Sequence, residues 1–143
     1  DVEVTIDRTV EFLDWFLREV PIEPLWICPL RLRESSAAPG LDGAAVSDRP
    51  WPLYPLAPET TYVNIGFWYS APIEPGMAEG AWNRRIEDEV SRLGGHKSLY
   101  SEVFYSREEF GELYGGDHAT RLKEEFDPDG RFATLYDKAV GAR

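Results

Sequence analysis

The order of periodicities along the chain is its strongest constraint. Val2 and Val4 alternate with Glu3, and residues 24–32 are rich in Leu, Trp and Ile. Residues 61–69 set Val63, Ile65 and Phe67 against Tyr62, Asn64, Gly66 and Trp68, and residues 96–105 carry Leu99, Val103, Phe104 and two tyrosines. Side chains alternate between the faces of a strand, so each of these segments reads as β. Two helical patterns lie between them. Val10, Leu13, Phe16, Leu17 and Val20 recur at helical spacing within residues 8–20, as do Trp82, Ile86, Val90 and Leu93 within residues 77–93. The order β-α-β, β-α-β predicts an α+β fold, a ferredoxin-like antiparallel sheet with both long helices on one face. The other face is expected to stay open for a ligand or a partner domain.

Punctuation supports these boundaries. Asp7 is placed to cap the first helix and Pro21 to end it. Gly94-Gly95 closes the second helix, because glycine takes the left-handed terminal conformation without a Cβ clash. Ser106-Arg107-Glu108-Glu109 has the form of a capping box, which predicts a helix over 107–114. Gly115-Gly116 stops that helix, Asp117 is expected to cap another ending near Phe126, and Asp127-Pro128-Asp129-Gly130 is a turn. A short helix over 135–140 ends this helical tail, 107–143. Residues 34–60 hold Pro39, Pro50, Pro52, Pro55 and Pro58 with Gly40 and Gly43, so a long loop without regular structure is predicted. Its apolar members Trp51, Leu53, Tyr54 and Leu56 suit either a cover over a core edge or a ligand lid.

Charge and cysteine content exclude several classes. A net charge of −11 argues against a nucleic-acid backbone or an anionic membrane surface as the main partner. The single cysteine, Cys28, allows no internal disulfide, and a reducing, cytoplasmic setting is the simpler expectation. No run approaches the roughly 20 apolar residues of a membrane span. The first residue is Asp1, not Met, which suggests a chain cut from something longer.

No complete catalytic set is present. There is no glycine-rich phosphate cradle, and His96 and His118 lack metal-ligand spacing, so no metal site is expected. Cys28 reads as a small buried hydrophobe, and Glu87, Asp88 and Glu89 as a solvated helix face. The open sheet face is the better candidate. Tyr62, Asn64, Trp68, His96, Tyr100 and Glu102 would share it by strand parity, and aromatics with a few polar groups suit a flat apolar ligand. The competing expectation is that this face packs on another domain.

Four segments in order carry a family resemblance. Pro24-Leu25-Trp26-Ile27-Cys28-Pro29, Tyr62-Val63-Asn64-Ile65-Gly66, Leu99-Tyr100 with Glu102 and Arg107-Glu108-Glu109-Phe110, and Tyr136-Asp137-Lys138 resemble the C-terminal part of the FAD-dependent Δ24-sterol reductases. That family belongs to the vanillyl-alcohol-oxidase class. The resemblance implies that residues 1–143 form one cap, or substrate, domain of a longer flavoenzyme whose N-terminal domain binds FAD. It implies hydride transfer between the flavin and a carbon of a lipophilic substrate. His96, Tyr100 and Glu102 would then be catalytic, His96 and Lys97 would lie against the cofactor, and Trp26, Asn64, Trp68 and Tyr100 would contact substrate. His-Lys at 96–97 departs from the sterol reductases and points to an oxidase-like or different substrate. Gly111, where a large aromatic is usual, and Thr5, where proline is usual, depart too. The alternative is a self-contained ferredoxin-like module that binds a small ligand or dimerises through its open face.

Overall fold

The computed structural model describes residues 1–32, 53–68, 70–99 and 101–140. Strand β1 (Val2–Thr5) leads through a 3-10 turn into helix α1 (Thr9–Glu19). Strands β2 (Leu25–Arg31) and β3 (Thr61–Phe67) follow, then helix α2 (Ala81–Arg92) and the two-residue strand β4 (His96–Lys97). Helices α3 (Arg107–Leu113), α4 (Gly116–Phe126) and α5 (Leu135–Ala139) complete the chain. The sheet is antiparallel in the order β2-β3-β1-β4, the ferredoxin-like order. β2 is an edge strand, which accommodates Pro29 within it.

Register decides which side chains meet. Val2 lies opposite Ile65 and Val4 opposite Val63, and these four pack with Phe12, Phe16, Ile86 and Val90 into the main core under α1 and α2. Glu3 lies opposite Asn64 on one side and His96 on the other. Asn64 lies opposite Cys28. A row of His96, Glu3, Asn64 and Cys28 therefore crosses all four strands on the face away from the two long helices.

The helix boundaries explain themselves locally. Gly94 adopts φ +70° just past α2, and Gly95 donates back to the Val90 carbonyl at 2.9 Å. A Cβ on Gly95 would lie 2.3 Å from the Glu3 carbonyl oxygen, so glycine lets α2 return directly onto β1. The expected capping box is present: Glu109 N–H donates to Ser106 Oγ at 3.2 Å, and Ser106 N–H to Glu109 Oε2 at 2.7 Å. Two expected caps are not. Residue Arg8 precedes α1 with no side-chain cap, while Asp7 sits within the 3-10 turn. Gly115, at φ +91°, takes the N-cap position of α4, and Asp117 lies in its first turn, where a carboxylate complements the helix dipole.

The strand expected over 96–105 is shortened to two residues. Beyond it only Ser98 N–H continues the ladder, donating to the Asp1 carbonyl at 3.1 Å. The extended stretch around residues 102–104 is held by side chains in place of a strand. Lys97 Nζ donates to the Glu102 carbonyl, and Phe104 N–H donates to both Glu87 carboxylate oxygens at 3.0 Å. The Tyr114 hydroxyl accepts from Lys97 N–H at 3.2 Å and donates to the Lys97 carbonyl, serving that edge as a further strand would. Tyr114 belongs to a second core with Val103, Tyr105 and Phe110, to which Tyr54, Leu99 and Tyr136 add their side chains.

The face expected to be open is therefore half closed. Tyr54, from the stretch before β3, reaches over the β4 end of the face, and Ala57 N–H donates to the Tyr62 hydroxyl at 3.1 Å. Trp51 and most of the expected loop, residues 33–52, lie outside the described residues.

Candidate functional site

A buried carboxylate organises the covered half of this face. Glu3, 3% exposed, accepts from Ser98 Oγ at 2.6 Å and from Asn64 Nδ2 at 2.7 Å through Oε1. Through Oε2 it accepts from the Tyr54 hydroxyl at 3.1 Å and lies 3.3 Å from His96 Nε2. The charge tolerates burial because three neutral donors and an imidazole surround it. The His96 ring stands edge-on between Tyr54, with centroids 5.2 Å apart, and Tyr62, at 5.7 Å. Ring packing and the carboxylate together fix the orientation of the imidazole.

Lys97 faces the other way. Its register partner is Val2, on the helix side, and its ammonium lies 2.8 Å from Glu87 Oε1, with both side chains almost fully buried. Burial pushes the Glu87 carboxyl above the ordinary range, while Lys97 and the Phe104 amide pull it back down. Glu87, expected on a solvated face, is the inner end of a buried pair. The reason is that α2 turns this residue toward β4 and not outward.

The uncovered half lies toward β2. Trp26, opposite Gly66, is 57% exposed, and Trp68, one residue past β3, is 65% exposed. Gly66 leaves the space beside Trp26 without a side chain; a Cβ there would lie 3.1 Å from the Asp1 carboxylate oxygens. Asn64 is half-buried at the boundary between the two halves, and Cys28, expected to be buried, is half-buried opposite it.

Of the residues singled out from the sequence, His96 and Asn64 meet through Glu3. Trp26 and Trp68 lie on the uncovered side. Lys97 lies behind the sheet. Glu102 is exposed, beyond the end of β4, and Tyr100 lies outside the described residues. Sequence reasoning passed over Glu3, because a single acid between two valines reads as the solvent side of a strand. The signal lay in topology: the ferredoxin-like order makes β1 a central strand, so either face of it can be covered. Among the described residues no group of three or more His, Cys, Asp or Glu could hold a metal ion. No helix among them is long and apolar enough to cross a membrane.

Comparison with known proteins places this arrangement. No family model matches the chain, and no solved structure matches it at a significant level. The chain is 27% identical to the Delta(24)-sterol reductase of Homo sapiens over 143 residues, 99% of this chain, and equally identical to that of Rattus norvegicus. A Delta(24)-sterol reductase homolog of Caenorhabditis elegans is 26% identical over 114 residues, 80% of this chain. The chain spans 25% of the length of the human relative and 19% of the nematode one. The resemblance carried by the four sequence segments thus extends over nearly the whole chain, and it is to a part of those proteins.

Proposed function

We propose that this chain forms the substrate-side cap of an FAD-dependent oxidoreductase resembling the Δ24-sterol reductases, acting on a lipophilic, sterol-like molecule. The observation that carries this reading is the uncovered half of the sheet face. Two exposed tryptophans stand near a glycine gap, and a half-buried amide is anchored to a buried carboxylate at its margin. An apolar platform with one oriented polar group suits a flat apolar ligand.

The residues fit a share of a flavin site, not a whole one. The chain has no glycine-rich turn to cradle a pyrophosphate, so the cofactor would be held mainly by an N-terminal domain of the same protein. FAD, when bound, supplies the hydride chemistry. This chain would orient the substrate and exclude water from it. His96 contributes through its fixed ring. Lys97 contributes by holding the 102–104 stretch, since its ammonium is engaged by Glu87 and the Glu102 carbonyl. Direct contact of either with a flavin needs Tyr54 or that stretch to move aside. The resemblance adds Tyr100 and Glu102 as residues near the reacting atoms.

The test is to purify the full-length protein that carries this chain, identify any flavin released from it, and mix it anaerobically with a side-chain-unsaturated sterol and its saturated counterpart. A stoichiometric FAD whose spectrum responds to one of the two supports the reading. A protein without flavin, or with a flavin indifferent to both, contradicts it.

A further inference from the structure

We propose that Asn64 selects ligands that carry a hydroxyl where a close analogue carries a ketone, and that Glu3 imposes this choice as a positioning residue. The inference rests on the reading of the uncovered face as the substrate surface. An asparagine amide has two orientations of opposite hydrogen-bonding character, and its neighbours decide between them. Here the neighbour is a carboxylate. Glu3 is buried, it can only accept when ionised, and its Oε1 lies 2.7 Å from the Asn64 amide. The reversed amide would set a carbonyl oxygen against a carboxylate oxygen at that distance, which is repulsive. Ser98 reinforces the choice. Its hydroxyl proton goes to Glu3 Oε1 at 2.6 Å, so its oxygen is left to accept from Asn64 Nδ2, at 3.4 Å.

With Nδ2 committed inward, the Asn64 carbonyl oxygen is the acceptor left for a ligand. Asn64 is half-buried and shares its face with Gly66, the residue opposite Trp26. A hydroxyl on a flat apolar body lying over Trp26 and Gly66 can donate to that oxygen. A ketone in its place would bring acceptor to acceptor and leave a desolvated oxygen unpaired, and sites built for one hydrogen-bonding sense reject the other strongly.

The test measures dissociation constants for a sterol alcohol and its ketone in the full-length protein, by quenching of tryptophan fluorescence, with melting curves as a fold control. The wild-type protein is expected to bind the alcohol at least about tenfold more tightly, about 1.4 kcal/mol. In Glu3→Gln the glutamine amide can itself turn a donor toward Asn64, the Asn64 amide is freed to reverse, and the preference should fall to about twofold or less. Asn64→Leu removes the acceptor and should also abolish it, which keeps the test decisive if Glu3→Gln does not fold. Equal wild-type affinity for both ligands, or a preference that survives in Asn64→Leu or in a folded Glu3→Gln, overturns the inference and leaves the proposed function standing. Binding of neither ligand removes the substrate reading of this face and the inference with it.

Discussion

His96 and Lys97 are neighbours on β4 whose side chains leave opposite faces of the sheet, and each ends on a buried carboxylate. His96 meets Glu3 at 3.3 Å on the face away from the helices, and Lys97 meets Glu87 at 2.8 Å beneath α2. A two-residue strand is too short to be held by its ladder alone. Charge on both faces, together with the Tyr114 hydroxyl on the Lys97 backbone, makes up the difference. The half-covered face and the main core are thereby tied to one point in the chain.

Lys97→Met should expose how much of this tie is electrostatic. Removing one partner of a buried pair strands the other, at a cost of about 3–5 kcal/mol near neutral pH. The cost should shrink as pH falls. Burial already holds the Glu87 carboxyl above its ordinary range, and loss of the ammonium raises it further. A carboxyl raised in the folded state favours the fold below its unfolded value and loses that contribution as pH rises through its folded value. Chemical denaturation of both proteins at about pH 5 and pH 8 checks this. A deficit that does not grow toward the higher pH contradicts it.

Gly95→Ala should be more damaging than its single added carbon suggests. The new Cβ would sit 2.3 Å from the Glu3 carbonyl oxygen and 2.9 Å from Val4 Cγ1. Backbone cannot yield as a flexible side chain does, so a loss of about 1–3 kcal/mol or more is expected in thermal melts. The matched control is Gly94→Ala, whose Cβ meets nothing within 4 Å but whose φ of +70° is unfavourable for alanine. Gly94→Ala should cost only about 1 kcal/mol. The reverse order of damage would mean that α2 does not close onto β1 as described.

Tyr54→Phe should loosen the cover over the buried cluster. It removes one of three neutral donors to Glu3 while keeping the ring that packs on His96 and Tyr114. A buried acceptor losing one donor costs about 1–3 kcal/mol. Hydrogen exchange of the amides near Tyr62 should quicken with it, since Ala57 is tied to the Tyr62 hydroxyl. An unchanged melting curve and unchanged exchange would show that Tyr54 does not anchor the cover.

The architecture was legible because its signals are local and repeated. Val2, Val4, Val63 and Ile65 alternate, Phe12, Phe16, Ile86 and Val90 keep helical spacing, and the capping box at Ser106 declares itself in four residues. The extent of β4 was not legible, because Val103 and Tyr105 alternate as a strand would yet bury themselves in a second core with Phe110 and Tyr114. Periodicity reports which side is buried, not what pairs with the backbone. The site was half legible. Parity placed Asn64 and His96 on one face, but Glu3 and Tyr54 join them from residues 61 and 42 positions away, by contacts no local pattern encodes.

The isolated chain should not bind FAD tightly, because it has no cradle for the pyrophosphate. Titration of purified residues 1–143 with FAD, followed by flavin fluorescence, should show no saturable one-to-one binding below about micromolar, roughly −8 kcal/mol. Tight stoichiometric binding would mean that the cofactor site is built here and not in another domain.

The most direct measurement is the anaerobic rapid-mixing rate of substrate-dependent flavin oxidation or reduction in the full-length protein, compared between wild type and Trp26→Ala. Trp26 is 57% exposed on an edge strand, so the fold does not depend on it. If the uncovered face holds the substrate, Trp26→Ala should leave the melting temperature within a degree or two, on the order of 0.5 kcal/mol. It should also weaken substrate affinity or slow the flavin step by about tenfold, the scale of one large aromatic contact. Unchanged melting with an unchanged rate and affinity would contradict the account, because the face would then be bare of substrate.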